Sequence, residues 1–291
     1  MPPHELTSGV SVMLDSERIL LAREERKFAA DTQRDAARIR MRQFIVLAAL
    51  LTGWWLASGT LVDRLFLSDP ISVARVLYQV TVDGTLWWHL EQTLIEMTLG
   101  YIVGVTTGVA LAVAMTSLPW GQKIVRPLML GLFAVPKVAL APLIIVWLGI
   151  YLTPKIVLSA SLVVFIVYFN TVAGILSVNP QMQEVVRVMG ASRLSILTKL
   201  TLPSAAPYIF TAMRITAPGA LIGAIIGEFL SSNRGIGFFI AAASSRYDTA
   251  RVFAGIFSLL IFVLLLNTAI SRLERHIERW RPREAVMETS V

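Results

Sequence analysis

A chain of 291 residues with 55% hydrophobic and 15% charged residues departs from the roughly 25% charged content of soluble globular proteins, and its mean hydropathy of +0.68 points to helices embedded in a membrane. The net charge of +7 sits in the flanks of the apolar runs, which is a membrane pattern and not a nucleic-acid footprint. Cysteine is absent, which excludes disulfide frameworks, thiolate metal sites and cysteine nucleophiles.

Residues 1–42 interleave both charge signs, as in Arg23-Glu24-Glu25-Arg26-Lys27 and Arg38-Ile39-Arg40-Met41-Arg42. This predicts a cytoplasmic amphipathic helix or tail leading into the membrane. The first long apolar run starts only at Phe44, so no cleavable signal peptide is expected and the first span stays as an anchor. Six spans are predicted, at 43–60, 93–118, 128–150, 155–177, 204–230 and 252–271, or five if the third, the weakest, does not cross. The third contains Pro136, Lys137 and Pro142, so neighbouring groups must satisfy the carbonyls the prolines free. The domains expected are a tail over 1–42, a membrane domain over 43–271 and a basic cytoplasmic tail over 272–291.

Between the first two spans, Ser68-Asp69-Pro70 reads as a helix start, predicting a short helix on the periplasmic face. Trp87 and Trp88 precede the second span, where indole rings favour the headgroup layer. Outside the spans, 18 Lys and Arg fall on one side and six on the other, which places both termini in the cytoplasm.

Two spans carry glycine at a four-residue period: Gly100, Gly104 and Gly108, and Gly219, Gly223 and Gly227. Such a stripe lets another backbone approach where lipid supplies no hydrophobic drive; the partner helix can belong to the same chain or to a second copy. The polar groups within spans are Glu96, Tyr168, Asn170, Thr171, Arg214, Glu228 and Asn267, and each should face protein or a water-filled path. Tyr168 and Asn170, with Glu228, are the candidates for a translocation path. Glu228 and Arg214 lie nearer span ends, where snorkelling or structural pairing also serves. No phosphate-loop motif is present, and His4, His89 and His276 are too scattered for a metal site. No nucleophile and base pair stands out, so neither a catalytic residue nor a cofactor in this chain is expected.

The loop after the fourth span, from Gln181 to Pro203, predicts two short amphipathic helices joined at Gly190, where a turn is easy. Glu184, Gly190, Leu200, Leu202 and Pro203 fall in register with the signature loop of the permeases of ATP-binding-cassette importers, which the chain resembles. From about Trp54 to Pro282 the similarity is to the nitrate, sulfonate and taurine branch. It is carried by Ser68-Asp69-Pro70, Gly100-Tyr101, Val135-Pro136, the run from Ala139 to Gly149, Glu228 with Gly235-Ile236-Gly237, and Arg279-Trp280-Arg281-Pro282.

The resemblance implies an all-α type I importer fold with cytoplasmic coupling helices between the fourth and fifth spans. It also implies a second copy of the chain, two cytoplasmic ATP-binding subunits that hold ATP and magnesium, and a periplasmic solute-binding protein. Glu184 and Arg187 would supply polar contacts to the ATPase, Gly190 the bend, and Leu200, Leu202 and Pro203 the entry to the fifth span. The implied cargo is a small anion of the nitrate, sulfonate or taurine type, with riboflavin or a pyrimidine vitamin precursor as the alternative. Val185 and Val186 replace the family's usual alanines, Glu96 stands where relatives often carry arginine, and the first 40 residues match no known pattern. Among rival classes, a membrane enzyme lacks its site here, and a stand-alone ion-coupled carrier calls for a paired midplane carboxylate network that the spans do not display.

Overall fold

The structure is a computed structural model that describes residues 38–277 apart from Pro119. The expected tails therefore lie outside the described residues over 1–37 and 278–291, with the Arg279-Trp280-Arg281-Pro282 motif among the latter. The chain divides after Pro70 into two units, inside the segment expected as one membrane domain.

In the first unit, helix α1 occupies 38–57. The turn behind it folds back through Trp54 Nε1, which donates to Ser68 O at 2.8 Å, and Ser58 Oγ, which donates to Leu67 O at 2.7 Å. The expected first span, 43–60, falls on this helix. Its apolar run reaches only from Phe44 to Ala57, roughly 21 Å of helix against a hydrocarbon core of about 30 Å.

The second unit is a helical bundle built around one central helix. Its elements are α2 (Pro70–Val82), α3 (Thr85–Ser117), α4 (Gly121–Ala134), α5 (Lys137–Leu148), α6 (Leu152–Leu176), α7 (Pro180–Val188), α8 (Arg193–Ile196), α9 (Leu202–Ser231), α10 (Ile236–Ser244) and α11 (Thr249–Ile277). A π-helical turn, Leu197–Thr201, fuses α8 to α9. Among the described residues four helices are long and apolar enough to cross a membrane: α3, α6, the fused Arg193–Ser231 helix, and α11. The pair α4 and α5 makes a fifth if it is counted as one broken span, so length and composition give four or five spans among the described residues, where the sequence leaves six or five open.

Helix α6 is the core of the bundle because small residues let two backbones close on it from different sides. On α3, a methyl at Gly104 would lie 2.7 Å from Val163 Cβ, and one at Gly108 would lie 2.8 Å from Val164 O. On α9, a methyl at Gly223 would lie 2.5 Å from Ser159 Cα, and one at Gly227 would lie 2.8 Å from Lys155 Cγ. Both glycine stripes thus pack against a helix of the same chain. Above them Met97, Val163, Val167, Ala212, Ala220, Leu221 and Ala224 form a buried cluster. Tyr101 of α3 adds a polar tie by donating to Met213 O at 2.8 Å.

Helices α4 and α5 meet at 91° at Val135 and Pro136, the break the prolines predict. The Lys137 ammonium answers the freed backbone. It donates to Leu132 O at 3.2 Å and to Phe133 O, and it lies 4.8 Å from the centroids of both the Phe133 and Phe165 rings. A lysine inside an apolar segment is tolerated here because carbonyl oxygens and aromatic faces replace its water.

The glycine contacts generate a discriminating test. Gly223→Ala must push into backbone and should destabilise the protein by about 1–3 kcal/mol. At Gly219 the nearest atom to an added methyl is 3.9 Å away, so Gly219→Ala should be neutral or slightly stabilising. Thermal unfolding of the two variants in detergent checks the difference.

Candidate functional site

Two regions carry the polar and exposed features from which function can be argued, one at each end of α6.

At the end where α6 finishes, Asn179 starts α7 by accepting the Gln181 amide on its side chain at 2.9 Å, and Pro180 occupies the first turn, where it sacrifices no hydrogen bond. Helix α7 buries none of its residues. Met182, Val185 and Met189 recur on one face and are 57%, 59% and 80% exposed, while Glu184 and Arg187 are exposed beside them. Gly190 ends the segment at φ +88° with no atom near the place a side chain would occupy, a left-handed conformation that favours glycine for its backbone alone. Ser192 then restarts the chain by accepting the Ser195 amide at 3.2 Å. The second of the two expected short helices is only the four residues of α8, because the π-helical turn carries it straight into α9. Leu200 lies in that turn, and Leu202 and Pro203 open α9. Behind α7 is a cleft of about 780 Å³ lined by Gln183, Arg187, Arg193, Thr116, Ser117 and Thr201, among others.

At the end where α6 begins, the fold assembles a buried polar cluster. Glu96 of α3 and Glu228 of α9 are 0% and 1% exposed. Glu96 Oε1 accepts from Lys155 Nζ of α6 at 3.0 Å and from Gln92 Nε2 at 2.7 Å. Lys155 also donates to Ser232 Oγ at 2.9 Å. Glu228 accepts from the Thr93 hydroxyl at 2.7 Å on one oxygen and from the Gly237 amide at 2.6 Å on the other. The turn 232–237 is stitched to α3 by its own backbone: the Gly235 amide donates to His89 Nδ1 at 3.1 Å and the Ile236 amide to Thr93 Oγ1 at 2.9 Å. Arg234 donates to Trp88 O at 2.8 Å, pairs with Glu91 and stacks 4.6 Å from the Trp88 ring centroid. Just before α3, Asp83 accepts the Thr85 amide at 2.9 Å, and that bond holds its carboxyl below the usual carboxylate range.

The glycines of the turn are placed by Glu228. Gly235 has φ +115°, and a methyl there would fall within the Glu228 carboxylate; one at Gly237 would meet Glu228 Cβ at 2.9 Å. A cleft of about 820 Å³ adjoins the cluster, with Lys155, Gln92, Ser232 and Asn233 in its wall and Arg246 on its lining.

Several sequence expectations change at this point. Glu228 does not snorkel; it is an interior group held by two donors. Glu96 of α3 and Glu228 of α9 enter one polar cluster at the end of the bundle where α6 begins, with Lys155 as the cation bonded to Glu96. Tyr168 is 0% exposed and packs with Ala112, Met129 and Val172 and edge-on to Phe169. Asn170 uses its amide on Ile166 O at 2.9 Å. Lys155, Thr93 and His89 were not singled out as site residues. The available signal was that one lysine and two glutamates all fall near span ends that a bundle must bring together.

With this geometry in view, comparison with known proteins identifies the class. The chain belongs to the family described as the binding-protein-dependent transport system inner membrane component, which matches residues 104–281. A taurine transport system permease of Escherichia coli is 32% identical over 80% of this chain and 87% of its own length. A formylaminopyrimidine transport permease of Halalkalibacterium halodurans is 30% identical over 81% and 94%, and a riboflavin transport system permease of Chloroflexus aurantiacus is 31% identical over 81% and 88%. Among solved structures, an alginate ABC transporter covers 86% of this chain and 99% of its own at a TM-score of 0.57 and 18% identity. The MetNI methionine ABC transporter, in an inward-facing conformation, covers 66% and 94% at 0.53 and 23%. The fold is that of type I importer permeases. The protein is a multi-pass inner-membrane permease of the ATP-binding-cassette importers, in the nitrate, sulfonate and taurine branch, and permeases of this kind are not themselves enzymes.

The backbone of the 232–237 turn supplies a prediction. Gly235→Ala must hold a side chain in a left-handed conformation and against Glu228, costing about 1–3 kcal/mol from the backbone alone. A lowered unfolding midpoint in detergent checks it.

Proposed function

We propose that this chain, as a homodimer, forms the translocation unit of an importer that takes a small anionic solute, of the nitrate, sulfonate or taurine type, into the cytoplasm by alternating access. Two cytoplasmic subunits bind ATP and magnesium and hydrolyse ATP, and a periplasmic binding protein delivers the solute. The observation that carries this reading is α7, an ordered amphipathic helix whose apolar residues Met182 and Val185, with Met189 at its C-terminal cap, are exposed in the single chain.

An apolar stripe of that kind on a polar loop is a docking element. Burying it against a partner groove releases water from apolar surface, while Glu184 and Arg187 fix the register through charged contacts. Gly190 sets the angle between α7 and the fused helix that follows. Movement of the partner groove would be passed from α7 through Leu200, Leu202 and Pro203 into α9. In this reading α7 lies on the cytoplasmic side, both termini are cytoplasmic, residues 1–42 form a cytoplasmic helix, and the 820 Å³ cleft at the other end of α6 opens toward the periplasm. Arg246 in that cleft favours an anionic cargo, and the taurine and aliphatic sulfonate permeases among its relatives support the same class. Import of a riboflavin-like or pyrimidine precursor is the second reading, supported by relatives of equal similarity.

Co-expression with the neighbouring ATPase gene and purification through a tag on this chain test the proposal. The wild-type chain should retain the ATPase subunit. Glu184→Ala combined with Gly190→Pro should lose most of it while membrane insertion stays normal. Undiminished recovery from that variant would remove α7 from the interface.

A further inference from the structure

The break between α4 and α5 carries a charge at an unusual depth. Lys137 Nζ lies 4.8 Å from the centroid of the Phe165 ring, and Phe165 is halfway along α6 (Leu152–Leu176), a helix long and apolar enough to cross a membrane. The ammonium therefore sits near mid-depth.

Two of its three N–H groups are used on the carbonyls of Leu132 and Phe133. The third has no acceptor among the described residues, and Lys137 forms no ion pair there. The sequence explains the missing carboxylate: no Asp or Glu occurs from Met97 to Gln183 or from Val185 to Gly227. Those stretches supply all of α4, α5 and α6 and most of α3 and α9. Lys137 is partly exposed in the single chain, and Val135, Pro136 and Val138 beside it are exposed.

Lipid is a poor cover for this place. A charge at the centre of a bilayer faces the bundle interior or a water-filled cavity, and a broken helix is tolerated at that depth only where protein or water meets its loosened backbone. The lysine and the break are separate features, and both call for the same surroundings. The sign of the potential follows from the same residues. No side chain caps the N-terminus of α5, so the positive end of its dipole adds to the charge of the ammonium.

We propose that Lys137 lines the translocation path at mid-depth and is the cationic group that an anionic cargo meets there, which makes it a specificity-determining residue. This role rests on the importer reading.

The test is thiol labelling in membranes that hold the tagged permease with its ATPase subunits. The chain has no cysteine of its own. Leu140→Cys, at an exposed position one turn along α5 from Lys137, thus gives it a single thiol. The probes are two membrane-impermeant methanethiosulfonates, one bearing a sulfonate and one a quaternary ammonium, applied with and without ATP and vanadate. Both should react with Leu140→Cys in at least one nucleotide state, and neither with Leu264→Cys in the unbroken apolar helix α11. Adding Lys137→Gln should lower the ratio of anionic to cationic labelling rates roughly tenfold, the effect of one unit charge a helical turn away across water. Lys137→Arg should preserve the ratio. The proposal is overturned if Leu140→Cys resists both reagents in every state, if Leu264→Cys reacts as fast, or if Lys137→Gln leaves the ratio unchanged. Any of those results with the ATPase recovered on the tag removes Lys137 from the path and leaves the importer reading standing. Charge-dependent labelling with no ATPase recovered does the reverse.

Discussion

The fold depends on how closely α3 and α9 approach α6. In lipid, apolar side chains gain little by meeting one another, so helix association rests on dispersion and hydrogen bonding at short range. Gly104, Gly108, Gly223 and Gly227 make that range available, and the ridge they receive is formed by Lys155, Ser159, Val163 and Val167 of α6. Ser159 illustrates the tightness: its hydroxyl is buried without a partner in the space between Gly100 and Gly223.

The same approach makes the polar cluster possible. Lys155 can reach Glu96 and Ser232 because Gly227 lets the α6 backbone close on α9, and Glu228 is enclosed because Gly235 and Gly237 leave it room. Breaking such a cluster by removing one partner strands a charge among apolar atoms, at several kcal/mol in comparable sites. The glycine stripes and the charged residues therefore form one construction, in which close packing excludes water and the excluded groups satisfy one another.

Much of this was legible in the residues because the governing physics is local. Apolar run length placed α3, α6, α9 and α11, and Ser68-Asp69-Pro70 placed the start of α2. Gly190 ends a short amphipathic helix, and Pro136 marks the 91° break. What stayed hidden was long-range. Glu96 and Glu228 are 132 positions apart, and nothing in either neighbourhood indicates that they touch. Tyr168 reads as a polar group in a span, and only the packing of α3 and α4 around it makes it interior.

The fused helix from Arg193 to Ser231 is 39 residues long, about 58 Å at the usual rise per residue. It begins beside the exposed loop and ends at Glu228 and the glycine turn. Its only change of winding is the π-helical turn at Leu197–Thr201, where one extra residue per turn offsets the helical face that precedes it from the face that follows. A displacement at Arg193 would therefore meet the wide turn first, and then the interruptions at Pro207 and Pro218, before it reached the buried carboxyls.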